Sequence, residues 1–373
     1  MKYLFYYFFL LFSTNVNAQI NRLPPKGIKN ETIVPAFSYE DLAYRWAPIH
    51  YQDTDNTSAK SDYITRFDYD NNFTGTDNWE HLNSGNLSAN VYYSVVETST
   101  HWFIVYAFFH PRDWTDGSFD QEHENDMEGI LLTVRKGDGL YGTLVAMITV
   151  AHSDFYSFVP AGTSVINGSE TIDGTVSFQS YDGALHPKTS QEAKGHPIKA
   201  FPYISDFKGG ANEDGIIYFP SKTISETPSS GNDRSVKYKL IDMVGFGNLW
   251  TLQLFEANQI RSKAKTYAKW SSFKGDESGG CGSGATVTCS TDAAHTPWGW
   301  DDGNDGPVNP GELALDPAHL INYYFKGLGN FSLVYTNNKY LKDLKQQGFN
   351  DSFKPIGWPS QVKFSTLYAK LQQ

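Results

Sequence analysis

The chain has 373 residues, with 30 Lys and Arg against 41 Asp and Glu, a formal net charge of −11 and 15% aromatic residues. So large an acidic excess excludes a protein that binds nucleic acid through a basic surface. It suits extracellular solubility and cation binding, and says nothing about fold.

Residues 1–18 read as a targeting signal. Lys2 supplies the positive start, Tyr3 to Phe12 is an unbroken apolar run, and Val16-Asn17-Ala18 offers a small-residue cleavage site. A run of about ten residues is too short to span a bilayer. No Cys follows the site, which argues against a lipoprotein. The mature chain is therefore expected to be secreted, extracellular or periplasmic. Removing 18 residues takes away Lys2 and no acid, which leaves 355 residues at a net charge of −12. One large domain over 19–373 is expected, with a C-terminal elaboration around a loop at 274–315.

Short apolar and aromatic runs recur between turn signals. Strands are predicted at Asn90–Thr98, Trp102–His110, Ile130–Arg135, Leu144–Val150, Thr175–Ser180, Lys199–Pro202, Ile216–Tyr218, Lys237–Val244 and Ser332–Tyr335. Helical patterns are few: Tyr39–Trp46, Gln259–Trp270 and Asp316–Phe325, the last with Asp316 as N-cap and Pro317 at its first position. The fold class is mainly β, a β-sandwich or jelly roll with a few short peripheral helices.

The stretch from Val105 to Gly129 carries the chemistry. An apolar strand ends in the turn His110-Pro111-Arg112-Asp113, and a Gly/Asp loop leads to His123-x-x-Asp126-x-Glu128. Residues two apart on a strand share a face, so Asp126 and Glu128 point the same way. His123 joins them only if a bend or bulge intervenes, and Asp113 only if the two strands form a hairpin. Three carboxylates that close repel unless a positive charge sits among them. Carboxylates with one His suit a hard cation, Ca²⁺ or Mg²⁺ or else Mn²⁺, better than structural zinc. The alternative is a set of solvated polar residues at a strand end.

Three further features stand downstream. His152-Ser153-Asp154 contains the residue types of a hydrolase triad. No G-x-S-x-G turn surrounds Ser153, however, so His152 is expected either to line the cation pocket or to sit at a strand end. Cys281 and Cys289 flank a Gly/Ser-rich loop, and in an oxidising compartment a local disulfide is expected. Asp301, Asp305, Gly306 and Glu312 fall at positions 1, 5, 6 and 12 of a calcium loop, but Gly303 at position 3 and Pro310 argue against an EF-hand. Trp298 and Trp300 beside it either pack on the domain or form a platform for stacking a sugar. Seven N-x-S/T sequons, at Asn30, Asn56, Asn72, Asn86, Asn167, Asn330 and Asn350, assign no source.

The order of these elements resembles the NLP family, the necrosis- and ethylene-inducing-peptide-like (NPP1) proteins. Val105–Asp113 is similar to that family's Y-x-x-Y-F-P-K-D strand end, and Glu122–Glu128 lies over its heptapeptide G-H-R-H-D-W-E. His123, Asp126 and Glu128 match, whereas Glu122, Glu124, Asn125 and Met127 depart. Ala151-His152-Ser153 and Lys194-Gly195-His196-Pro197 stand where the family has S-x-H-G and T-H-x-x-R. Tyr44–Tyr51 also resembles the opening strand of Vps62-like proteins. Together these cover about a third of the chain. The resemblance implies a divalent cation held by Asp113 and Asp126, with His123, Glu128 and His196 as water-mediated or outer partners. It also implies a glycan or glycosylated lipid head group as ligand, at a membrane surface.

Two readings of function remain open from the sequence. In one, the cation orients a sugar in a secreted binding module. In the other, the same cluster is a metal-dependent hydrolase or lyase acting on a polysaccharide or phosphoester, with His123, Glu128 or His196 as general base. A basic group near the ion, Arg112 or Lys194, would favour an anionic substrate. Oligomeric state is not legible.

Overall fold

The structure is a computed structural model that describes residues 37–73, 75, 77–113, 123–152, 154–203, 215–245, 247–250, 272–274, 292–304 and 311–337. The chain divides into two compact units, Met1–Phe37 and Ser38–Gln373, and the architecture below is that of the second. The leader, Cys281, Cys289, the helix expected at Gln259–Trp270 and Asp305 of the acidic loop lie outside the described residues.

The unit opens with α1 (Tyr39–Trp46), where the sequence placed it. Its start is a capping box: Ser38 Oγ accepts from the Asp41 N–H at 3.0 Å, and Asp41 Oδ2 accepts from the Ser38 N–H at 3.2 Å. Leu42, Ala43 and Trp46 form its buried face. A short helix α2 (Asn78–His81) precedes the strands that build the site.

Seventeen strands are described. β1 (Ile49–Gln52), β2 (Asn90–Thr98), β3 (His101–Asp113), β4 (His123–Arg135), β5 (Thr143–Ala151) and β6 (Asp154–Pro160) come first. β7 (Ile166–Asn167), β8 (Ile172–Val176), β9 (Phe178–Tyr181), β10 (Ala184–Gln191), β11 (Ile198–Ala200), β12 (Ile216–Ser221) and β13 (Val236–Asp242) follow. The last are β14 (Ser272–Lys274), β15 (Asp292–His295), β16 (Phe325–Lys326) and β17 (Tyr335–Asn337). Thirteen join one sheet, along the path β11-β10-β1-β12-β13-β2-β3-β4-β5-β6-β8, with β17 on β2 and β9 on β10. The sheet bends back on itself, so that β11 lies against β5, β4 and β8. The mainly β expectation therefore holds; thirteen strands form one curled sheet, and β14–β15 and β7–β16 form two small separate pairs. That curl carries the strap between β10 and β11 towards the end of β4.

Both faces of the central strands are covered, which is why they read as near-continuous apolar runs rather than alternating ones. On one face Tyr106 donates its hydroxyl to the Ala43 carbonyl of α1 at 2.6 Å, and Phe108 stacks on His50 of β1 at 4.3 Å. On the other, Phe109 meets Phe67 and Phe273 at 5.2 and 5.7 Å. Trp300 donates its indole N–H to the Met127 carbonyl at 2.9 Å. Gly129 is needed there, because a Cβ would lie 2.3 Å from the Trp300 ring.

Trp298 and Trp300 are thus 0% and 3% exposed, which corrects their reading as a sugar platform. They are apolar mass closing the second face of the sheet. Pro317–Tyr324 is the helix expected after Asp316, but Asp316 does not cap it with its side chain. That carboxylate accepts from the Tyr335 hydroxyl at 2.5 Å.

Candidate cation site

Strands β3 and β4 pair as the hairpin that the sequence required, with Phe108 opposite Glu128, His110 opposite Asp126 and Asp113 opposite His123. Strict alternation would put His123 on the face opposite Asp126. The ladder skips between Arg112↔Glu124 and His110↔Asp126, and Asn125 there adopts φ 60°. Asn tolerates this left-handed backbone better than most residues. Arg112 and Glu124 reach α2, and His123, the direct cross-strand partner of Asp113, brings its Nε2 to 3.4 Å from Asp113 Oδ2.

The residues that depart from the family's heptapeptide have local work. Glu124 Oε1 accepts from the Trp79 N–H at 2.9 Å, capping α2, whose own N-cap Asp77 makes no side-chain capping bond. Asn125 donates to the Gly75 carbonyl at 2.7 Å and is bonded by Asn78. Met127 is buried, and its N–H donates to Asp126 Oδ1 at 2.8 Å. Glu122 lies outside the described residues.

The strap between β10 and β11 delivers His196 from seventy residues further on. Lys194 and His196 hold φ of 71° and 54°, and Glu192 N–H donates to the Pro197 carbonyl at 3.1 Å. Non-glycine residues in left-handed backbone persist only where their surroundings fix them. Here His196 Nδ1 lies 2.7 Å from Asp126 Oδ2 and Nε2 lies 3.1 Å from Asp62 Oδ1, with the ring fully buried. Burial alone would lower its pKa, but the two carboxylates outweigh it and hold the imidazolium up to about 9. Both ring nitrogens are committed as donors, so His196 orients Asp126 and does not itself ligate a cation.

His152 occupies the two-residue turn between β5 and β6 at φ 59°, where such hairpins need positive φ. Its N–H donates to Glu128 Oε1 at 2.9 Å, while its side chain is 60% exposed. A Cβ on Gly195 would come 2.9 Å from the His152 ring and 3.9 Å from Asp113 Oδ2. The strap, the turn and the hairpin therefore meet at one mouth. Asp113, His123, Asp126, Glu128, His152 and His196 are all brought there.

The carboxylates at this mouth perturb one another. Burial, then the charge of Asp126, pushes Asp113 up to about 6. Burial, then Asp126 and Asp113, pushes Glu128 well above the usual carboxylate range. Asp126 stays low despite its burial because His196 bonds it. Glu128 Oε2 is buried without a hydrogen-bond partner among the described residues. An orphaned carboxylate oxygen coupled to two further acids has the donor chemistry of a hard, oxygen-seeking divalent ion, although Asp113, Asp126 and Glu128 are not among the groups of described residues whose ligand atoms all lie within 4.8 Å of one another.

The two basic candidates point elsewhere. Arg112 bonds the Trp79 carbonyl and lies 4.0 Å over its ring, and Lys194 pairs with Asp55 at 3.0 Å. Two separate groups, Asp70/Asp77/His81 and Glu312/Asp316/His319, each bring three ligand-type atoms within 4.8 Å of one another. Glu312, from the proposed calcium loop, belongs to the second and accepts from His319 at 3.0 Å.

Sequence reasoning missed Asp62 and His110. Asp62 lies in a polar turn far from the motif, and no local pattern marks it. His110 reads as the start of a turn, whereas β3 continues through it to Asp113.

No family model and no curated protein matches the chain. Among solved structures it is similar to NLP proteins. The non-toxic HaNLP3 protein is 15% identical over 45% of this chain and 71% of its own, at a TM-score of 0.25. Necrosis and ethylene inducing protein 2, from the causal agent of cocoa's witches' broom disease, is 15% identical over 45% and 70%, at 0.26. NLPPya in complex with mannosamine is 14% identical over 54% and 74%, at 0.27, and its complex with glucosamine is 15% identical over the same shares. At TM-scores this low the superpositions carry no weight for the site.

Proposed function

We propose that the protein is a secreted glycan-binding module in which a divalent cation, held by Asp113, Asp126 and Glu128, orients sugar hydroxyls at the mouth lined by His123 and His152. The observation that carries this is the buried, unpartnered Glu128 Oε2 coupled to two more carboxylates. When bound, the ion would offset the mutual repulsion of the three acids and leave coordination positions for vicinal hydroxyls. His123 and His152 would meet the sugar as hydrogen-bonding groups, and Asp126 would be kept in place by His196. A glycosylated lipid head group would bring the same hydroxyls to a membrane surface.

Binding is favoured over turnover of a phosphoester because Arg112 and Lys194 are spent on Trp79 and Asp55. Among the described residues, an anionic substrate would meet three acids, with Arg112 and Lys194 engaged elsewhere.

The test is calorimetric titration of the exported protein with glucosamine- and mannosamine-containing oligosaccharides, in Ca²⁺ and again in EDTA. Binding seen only with the cation supports the reading. Equal binding in EDTA, or catalytic release of reducing ends or phosphate, overturns it.

A further inference from the structure

The 3₁₀ turn Ala59–Asp62 packs against β3 but contributes no group to the mouth. Its last residue nevertheless has a 1% exposed side chain whose two oxygens are both engaged. Asp62 Oδ1 accepts from the Lys194 N–H at 2.8 Å and from His196 Nε2 at 3.1 Å. Asp62 Oδ2 accepts from the Asp55 N–H at 2.7 Å. The Asp62 carbonyl lies 3.1 Å from His110 Nδ1, and the His110 ring stacks on His196 at 3.8 Å and 6°.

One residue therefore fixes the strap backbone, the far side of the His196 ring and the ring packed on it. The near side of His196 holds Asp126. The Lys194 ammonium closes the arrangement on Asp55, 3.0 Å away, so that the turn and the strap are joined at two points.

We propose that Asp62 is the positioning residue of the cation site: by holding Lys194 N–H and His196 Nε2 together it sets the angle at which His196 presents Asp126 to the ion. This rests on the cation reading given above. Outer partners that orient a ligand typically change metal affinity about 10–100-fold when removed. Asn is the same size as Asp, but one end of its side chain carries N–H donors. It can satisfy either the strap donors or the Asp55 N–H, not both, so either the strap loses its fixed point or the turn that carries residue 62 loses its anchor to Asp55.

The experiment measures Ca²⁺ affinity by calorimetry, at a temperature where every variant is folded in EDTA, for wild type, Asp62→Asn and Val134→Ala. Val134 is buried eight residues along β4 from Asp126, so its truncation reports loss of stability alone. The expected result is a 10–100-fold weaker Kd for Asp62→Asn and an unchanged Kd for Val134→Ala. Tight binding by wild type with an unchanged Kd for Asp62→Asn overturns the positioning role. So does equal weakening by Val134→Ala. No Ca²⁺ binding by wild type overturns the cation reading itself, and is distinguished by that. Should Asp62→Asn not fold, Asp62→Ser, which keeps one acceptor, is measured against the same criterion.

Discussion

The ring of His196 lies flat on that of His110, 3.8 Å between centroids and 6° between planes. Two imidazoles in such contact cannot both carry charge cheaply, and their partners divide the roles. His196 sits between two carboxylates and is held charged up to about 9, whereas burial, then His196 and His50, keeps His110 well below the usual histidine range. The stack is a neutral ring supporting an imidazolium, and the imidazolium supports Asp126.

Removing the imidazolium should be costly. His196→Gln leaves Asp62 and Asp126 facing each other without their positive bridge, and breaking a buried ion pair costs about 3–5 kcal/mol. Chemical denaturation in EDTA checks this. A loss below about 1 kcal/mol would mean that the carboxylates do not depend on the ring.

The same pair gives a pH dependence with a fixed sign. The His196 pKa is raised on folding, from 6.5 to about 9, so its stabilisation is complete below pH 6.5 and is lost as pH rises through 9. Melting temperature in EDTA should fall across that window in wild type, and its slope should flatten in His196→Gln. Parallel profiles would contradict the assignment.

Cation affinity should respond to a different group. A proton competes with the ion for Asp113, which burial and Asp126 push up to about 6. Apparent Ca²⁺ affinity should fall about tenfold from pH 7 to pH 5. Calorimetry at the two pH values measures it, and Asp113→Asn should weaken binding and reduce the dependence, leaving the part due to Glu128, which burial and then Asp126 also raise.

Trp300 should matter to the fold and not to a sugar. It is 3% exposed, bonds the Met127 carbonyl and fills the space that Gly129 leaves. Trp300→Phe, which keeps the bulk and loses the N–H, should cost about 1 kcal/mol and leave glycan affinity unchanged. Trp300→Ala should cost about 3–5 kcal/mol.

How much of this was written locally explains what could be read. The β3–β4 hairpin is marked by its apolar runs and α1 by its helical pattern, so they were legible, and with them Asp113, Asp126 and Glu128. The left-handed Asn125 was visible only as the need for a bend. The strap's left-handed Lys194 and His196 have no sequence signature, since their φ values are imposed by Asp62 and Asp126. Asp62 is set there by the curl of the sheet, which brings a turn after β1 and a strap after β10 onto one strand end. Trp298 and Trp300 left two readings open because flat rings in a polar loop look alike whether they face a sugar or a sheet, and their burial answers to packing.

The central claim is that the carboxylates at this mouth hold a cation, and thermal unfolding tests it most directly. Melting curves are taken in EDTA and then with Ca²⁺, Mg²⁺ or Mn²⁺, for wild type and for Glu128→Gln. A ligand of the native state at 100 times its Kd adds about 2.7 kcal/mol, so one of the ions should raise the wild-type melting temperature by several degrees. Glu128→Gln should lose that rise. No rise in wild type with any of the three ions, or a full rise retained in Glu128→Gln, would contradict the site.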